Sequence, residues 1–257
     1  MSTRWQPELI SPELVGLSQS LGDPAKDLVI LAEGNTSERL NETHIAVKAS
    51  GSFLSDATAE DFVVADIEAL MAVIDDPSST QADLSAILDA GEHNGNQRRG
   101  SIEALVHAAV HAIAPAKYVG HTHPTPVVSL LASVHAATAF DEWVYSDEAV
   151  VIGKPLYVPY AEPGIALGRV FAERLRTAIA TGGEAPSLIL LGNHGIVARA
   201  NSAQAVEAIT LMAVKGARIR LDALSIGGVA GLGADTVGHY FERADMAERR
   251  RTLAGLS

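Results

Sequence analysis

The residues best suited to chemistry in this sequence are three histidines. Tyr118-Val119-Gly120-His121-Thr122-His123-Pro124 places two imidazoles two residues apart. At a strand end, positions i and i+2 face the same side. Two rings so placed can bite one metal ion, and zinc accepts imidazole nitrogen at about 2.0–2.1 Å, with three protein ligands and one open position in a catalytic site. His194, in Gly192-Asn193-His194-Gly195, is the candidate third ligand. Its turn lies between two apolar stretches, which would put it at a sheet end, and the glycines would permit unusual torsions and close approach to a ligand. Each signal also has a plain structural reading: two satisfied histidines near a turn, and a polar residue in a hairpin.

A rival constellation runs along one helix. Glu103, His107 and His111 are spaced i, i+4, i+8, so they share one helical face and form an alternative metal site. Arg98-Arg99-Gly100-Ser101-Ile102-Glu103 opens that helix, with Ser101 as the expected N-cap and Glu103 in the first turn. Free amides at such a terminus can bind phosphate. Gly34-Asn35-Thr36-Ser37 and Ser50-Gly51 offer further polar donors, and Lys48, Arg98 and Arg99 offer positive charge.

The elements that must position these groups alternate between helical and extended patterns. Helices are expected over Glu8 to Leu21, Ala82 to Ala90, Ser101 to Ala114, Val127 to Ala136, Ile165 to Ala180 (closed near Gly182-Gly183), Ser202 to Leu224 and from about Tyr240. Strands are expected over Thr43 to Ala49, Phe62 to Ala65, Lys117 to Thr122, Glu148 to Ile152, Leu156 to Val158, Ser187 to Leu191 and Ile196 to Ala200. Glu33 to Ser37 reads as a break, and residues 75–80 and 91–100 as loops. The pattern predicts an α/β fold, with a central mixed sheet carrying helices on its faces. No Gly-rich dinucleotide fingerprint follows an early strand. Residues 1–257 read as a single domain.

Composition narrows the function. There is no cysteine, which excludes disulfides, thiolate metal sites and a Cys nucleophile. A net charge of -12 disfavours nucleic acid, anionic membrane and, away from a local site, phosphorylated substrates. The start, MSTRWQPELISPEL, has no apolar core of a signal peptide, and no apolar run is long enough to cross a bilayer. The expected location is the cytoplasm.

Taken together, EGNTS, VKASG, RRGSIE, GHTHP, VPYAEPGIALG and LLGNHGIVA, in that order between Leu31 and Met212, resemble the class II aldolase and adducin family. That family includes fuculose- and rhamnulose-1-phosphate aldolases and ribulose-phosphate 4-epimerase. The resemblance implies a three-layer α/β/α fold and a homotetramer with sites between subunits. It implies one zinc ion per chain on His121, His123 and His194, and Glu103 as the acid–base residue. His107 matches a helix histidine that is not a ligand. Asn35, Ser50, Gly51 and Ser101 match phosphate-binding positions, and Tyr145 stands at the interval of a proton-donating tyrosine. Gly100 departs from the usual Pro or Ser. The longer stretch 66–100 resembles the aldolase half of bifunctional rhamnulose-phosphate aldolase–dehydrogenases, with no dehydrogenase half.

The implied reaction is reversible cleavage of a ketose 1-phosphate through an enediolate, whose negative charge a zinc Lewis acid stabilises. The same scaffold would serve a sugar-phosphate 4-epimerase or an oxo-acid phosphate decarboxylase. An adducin-like interaction module without catalysis is the alternative of a different class; it would be expected to lose the ligand histidines, and all three are present.

Overall fold

The computed structural model describes residues 3–181, 184–241 and 243–253. In chain order the elements are α1 (Pro12–Leu21), β1 (Asn35–Arg39), β2 (His44–Lys48), β3 (Phe62–Asp66), α2 (Ile67–Asp75), α3 (Gln81–Leu88), β4 (Asp89–His93), β5 (Asn96–Arg99), α4 (Ala104–Ile113) and β6 (Tyr118–Thr122). They continue with α5 (Thr125–Leu131), α6 (Ser146–Ile152), β7 (Leu156–Val158), α7 (Ile165–Ala180), β8 (Leu188–Leu191), β9 (Gly195–Ala200), α8 (Ala203–Ser225), α9 (Ala234–Phe241) and α10 (Ala244–Leu253).

Seven strands form one sheet in the order β3-β2-β1-β6-β9-β8-β7. The β7–β8 pair is parallel and the other pairs among the described residues are antiparallel, so the sheet is mixed as expected. Alternation along the strands divides the core in two. Ile45, Val47, Ile189, Leu191 and Val197 face the layer of α2, α4 and α7, while Ala46, Leu188, Leu190, Ile196 and Ala198 face that of α1, α5 and α8. Both faces are covered by helices, which makes the three-layer α/β/α arrangement.

Local chemistry sets the helix starts. Ser11, Asp66 and Ser202 each accept a backbone N–H at the third helical position, and Thr80 with Asp83 forms a reciprocal capping box. Four expectations are corrected. Glu148 to Ile152 belongs to helix α6 rather than a strand, because Glu148 turns inward to the buried Arg220 guanidinium and also accepts Val144 N–H at 2.8 Å. Residues 91–100 mostly form a hairpin, β4–β5, around Asn94 and Gly95 at φ 53° and 75°; Asn-Gly is the sequence that favours such a turn. The supposed break at Glu33 to Ser37 contains strand β1 from Asn35 onward. The helix expected from Ser101 begins at Ala104. Residues 67–75, given no element above, form α2, and Gly182 and Gly183 lie outside the described residues.

Candidate metal centre

β6 is the middle strand of the seven, and His121 on it pairs with Asn35 of β1 on one side and Val197 of β9 on the other. His123 lies just past the strand end, held by its N–H to the Leu28 carbonyl at 2.8 Å. His194 sits in the β8–β9 turn, with its N–H on Leu191 O at 3.1 Å. Asn193 takes the left-handed conformation of this turn, at φ 52°, rather than either glycine. The glycines supply room instead: a Cβ on Gly195 would stand 2.4 Å from the Thr122 carbonyl oxygen, and one on Gly192 would stand 2.7 Å from the Tyr157 hydroxyl. Gly34, at φ +69°, lets the 28–34 segment fold over the site, where a Cβ would meet His121 O at 2.8 Å.

These elements converge four side chains. One ligand atom from each of Glu103, His121, His123 and His194 lies within 4.8 Å of the others. His121 Nε2 faces His123 Nε2 at 2.9 Å, and Glu103 places Oε1 2.9 Å from His194 Nε2 and Oε2 3.3 Å from His121 Nε2. Glu103 occupies the cap position of α4 without capping it, because its carboxylate reaches the histidines instead.

The far side of each ring decides what the near side offers. His121 Nδ1 donates to the Ile196 carbonyl at 2.8 Å, so in the neutral ring Nε2 is bare. His123 Nδ1 lies 3.4 Å from Glu33 Oε2, which again leaves Nε2 bare. Two bare nitrogens at 2.9 Å repel unless a proton or cation is shared between them. His194 Nδ1 is buried without a hydrogen-bond partner. Three imidazoles and a carboxylate, with two rings already oriented by outer partners, are a donor set that suits a nitrogen-preferring divalent cation.

Electrostatics follow from the crowding. Burial, joined by the neighbouring His121 and His194, lowers His123 to about 3. Burial opposes charge on His121, but the Glu103 carboxylate and the Ile196 carbonyl outweigh it and raise its pKa. Burial also works against Glu103 as an anion, yet His121 and His194 hold its pKa well below the usual value. A cleft of about 470 Å³ opens beside His123 and His194, with Asp27, Ile30, Glu33 and Thr125 among its walls.

The model of the class II aldolase and adducin N-terminal domain matches residues 13–221. The chain belongs to the class II aldolase and adducin family. The uncharacterized oxidoreductase YuxG of Bacillus subtilis (strain 168) is 27% identical over 172 residues, which is 64% of this chain and 23% of YuxG. This chain therefore spans less than a quarter of that relative's length. Among solved structures, YgbL of Klebsiella pneumoniae, a putative aldolase/epimerase/decarboxylase, superposes with TM-score 0.63 at 20% identity, covering 93% of this chain and 99% of YgbL. L-fuculose-1-phosphate aldolase of Thermus thermophilus superposes with TM-score 0.59 at 20% identity, covering 85% of this chain and 99% of that one. At these identities the likeness is one of fold.

Within this class II aldolase-family chain, the other expected residues divide. Asn35 and Ser101 join the cluster: Asn35 Nδ2 donates to Glu103 Oε2 at 2.7 Å and reaches Ser101 Oγ at 3.4 Å. Ser50 and Gly51 form an exposed turn, Gly51 at φ +84°. Lys48 is buried, and its Nζ donates to the carbonyls of Ala32 and Ser52, tying together the two loops that carry the anion candidates. Burial pulls its pKa down to about 8, against the attraction of Glu103 and Asp61. Amides at the start of α4 are partly spent, since Ala104 N–H bonds Ser101 O at 2.9 Å and Val106 N–H bonds Glu103 O at 2.9 Å. Arg98 turns to Asp61 at 3.7 Å and to the face of Trp5. Tyr145 is not brought to the histidines within one chain; its hydroxyl meets Met212 Sδ at 2.6 Å, beside Lys215. Burial raises the pKa of that hydroxyl, while Lys215 pulls it back.

The rival helical constellation comes apart. His107 and His111 turn to Ser37, away from Glu103. The sequence pattern passed over Glu33 and offered Ser37 only as a donor to an anion, whereas Ser37 is buried against His107 and His111. The recognisable signal for Ser37 was its i, i+2 spacing from Asn35, which needs β1 to be read as a strand.

Proposed function

We propose that this chain is a zinc-dependent aldolase that reversibly cleaves a ketose 1-phosphate or a related sugar. The observation that carries this reading is a carboxylate set among three convergent imidazoles, Glu103 Oε1 being 2.9 Å from His194 Nε2. His121, His123 and His194 would hold the metal, which supplies Lewis-acid stabilisation of negative charge on substrate oxygen. Glu103 moves the proton at the carbon next to the carbonyl, with Asn35 holding one of its oxygens so that the carboxylate keeps a fixed direction. Asn35, Ser50, Gly51 and Ser101 take the phosphate, and Lys48 shapes that site through the two loops it ties. The sugar's far hydroxyls lie in the cleft beside His123, where Glu33, Asp27 and Thr125 give polar partners.

In the synthetic direction, protonation of the aldehyde oxygen is assigned to Tyr145 of the partner subunit in a homotetramer, and in cleavage the same proton leaves the substrate hydroxyl toward that tyrosine as the carbon–carbon bond breaks. Two observations support this. Tyr145 lies away from its own chain's cluster. Ile30, Leu31 and Phe53, in the segments around the site, are 63%, 74% and 49% exposed, which suits burial by a neighbouring copy.

A panel of ketose 1-phosphates, with the released aldehyde trapped and sugar stereochemistry followed, tests the reading. Aldehyde release that needs added zinc is the expected result. Inversion at one carbon without cleavage, or loss of carbon dioxide from an oxo-acid phosphate, would replace aldolase by epimerase or decarboxylase on the same residues.

A further inference from the structure

Behind Glu103 and Asn35 lies a row of three buried polar side chains, Ser37, His107 and His111, that the proposed reaction does not use. Asn35 Oδ1 faces His107 Nε2 at 2.5 Å, His107 Nδ1 faces Ser37 Oγ at 2.6 Å, and Ser37 Oγ faces His111 Nε2 at 2.8 Å. His111 Nδ1 ends the row on the Ala116 carbonyl at 3.0 Å. Asn35, Ser37, His107 and His111 are all at most 2% exposed.

The two ends of the row fix where its hydrogens lie. A carboxylate only accepts, so Asn35 turns its NH2 to Glu103 and its carbonyl to His107. His107 therefore donates from Nε2, and its Nδ1 accepts the single Ser37 hydroxyl proton. The Ala116 carbonyl also only accepts, so His111 donates from Nδ1. Burial holds both imidazoles far below their ordinary pKa, and so neutral. The Ser37–His111 contact is then left without a hydrogen. The row thus divides into a linked half, Ser37–His107–Asn35, and a separate His111–Ala116 bond.

We infer that His107, oriented by Ser37, is a positioning residue that selects which edge of the Asn35 amide faces Glu103. An amide has one donating and one accepting edge, and only the donating edge can hold a carboxylate. A ring nitrogen that donates to the Asn35 carbonyl excludes the flipped amide, because the flip would set two N–H groups against each other. His111 has no such part. The consequence for turnover rests on the reading of Glu103 as the acid–base group, whereas the geometry can be tested without any substrate.

Two substitutions separate the nitrogens of His107. Gln places its amide near the position of Nε2 and can still meet Asn35, whereas Asn places its amide near Nδ1 and can meet only Ser37. In zinc-loaded, 15N-labelled protein, the Asn35 side-chain NH2 exchange rate with water reports how firmly that amide is held. His107→Asn should speed this exchange about tenfold, the scale of one lost buried hydrogen bond. His107→Gln should stay within about threefold of wild type, and His111→Asn should leave the rate unchanged. Ser37→Ala, which removes the donor to Nδ1, gives a second route if His107→Asn does not fold, with a loss between those of His107→Gln and His107→Asn. Where a substrate is turned over, the His107→Asn loss should fall in kcat, with metal affinity unmoved and His107→Gln restoring the rate. Equal acceleration in His107→Gln, His107→Asn and His111→Asn would show one undivided packing unit and overturn the inference. Unchanged exchange in both His107→Asn and Ser37→Ala would overturn it as well. If no ketose phosphate is cleaved by the wild type, the aldolase reading fails while the exchange result still decides the positioning role.

Discussion

Two groups of histidines, one on α4 and one at the end of β6 and in the β8–β9 turn, have opposite fates. His121 and His123 point bare nitrogens at one another, His194 Nε2 faces Glu103 beside them, and a cleft opens alongside. His107 and His111, spaced i, i+4 on a helix, are sealed against β1, His107 between Ser37 and Asn35 and His111 on the Ala116 carbonyl. Residue type and spacing suit a metal in both groups. The difference lies in the groups each ring meets: the sealed pair faces only protein, with three of its four nitrogens hydrogen-bonded, whereas the open group has outer partners on two rings that leave the inner nitrogens free to bind.

The largest effect should come from the carboxylate at the centre of the open group. Glu103→Gln keeps size but cannot take a proton, so exchange of the substrate's α-proton with solvent should fall about 10²–10⁴-fold. Metal content should stay near wild type. Undiminished exchange in the folded, metal-loaded variant would reduce Glu103 to a polar neighbour of the histidines. A smaller loss is expected one step outward. Glu33→Gln weakens the orienting partner of His123 and should lower zinc affinity by about tenfold, the lower end for outer-shell partners. Competition with a chromogenic chelator measures it, and an unchanged constant would remove Glu33 from the account.

Acid tests the sealed pair. His111 has a pKa of about 3 in the fold against 6.5 unfolded, and His107 is lowered well below 6.5. Between those values the unfolded chain binds more protons, so the pair's contribution to stability is intact above pH 6.5 and shrinks as pH falls toward 3. Denaturant midpoints of wild type and His111→Asn should therefore diverge less as the pH is lowered, because the variant has one fewer group to protonate. A gap that stays constant across this range would show that burial does not hold His111 neutral.

The smallest effect lies with Lys48, whose burial acts in the opposite pH range. Its pKa is about 8 folded and 10.5 unfolded. Below pH 8 the buried charge destabilises the fold, and this penalty is relieved as pH rises from 8 to 10.5. Relative to Lys48→Met, wild type should gain stability over that interval. A parallel pH dependence in the two proteins would mean that the ammonium keeps its solvation through the Ala32 and Ser52 carbonyls.

Much of this was legible in the sequence, for identifiable reasons. The HxH pair and Asn193-His194-Gly195 stood out because strand ends and tight turns leave short, local signatures. The mixed sheet followed from apolar strand-like runs joined by both hairpin-like turns and helices. β1 was hidden because Asn35-Thr36-Ser37-Glu38 is polar throughout, although Asn35, Thr36, Ser37 and Glu38 are all buried. Their burial is compensated by partners distant in sequence, such as His107 for Ser37 and Lys117 for Glu38. Strand-like residues in α6 misled for a related reason: Val150, Val151 and Ile152 favour extended backbone, while tertiary contact between Glu148 and Arg220 holds the segment helical. The place of Tyr145 beside Met212 depends on packing between α6 and α8, which no local pattern encodes.

Metal content tests the central distinction between the two histidine groups most directly. Wild type, His121→Ala, His194→Ala and His107→Ala would each be loaded with zinc, freed of excess by gel filtration, and measured for zinc per chain by elemental analysis. About one zinc per chain is expected in wild type and in His107→Ala, and almost none in His121→Ala and His194→Ala. Full zinc in either His121→Ala or His194→Ala, or its loss from a folded His107→Ala protein, would contradict that distinction.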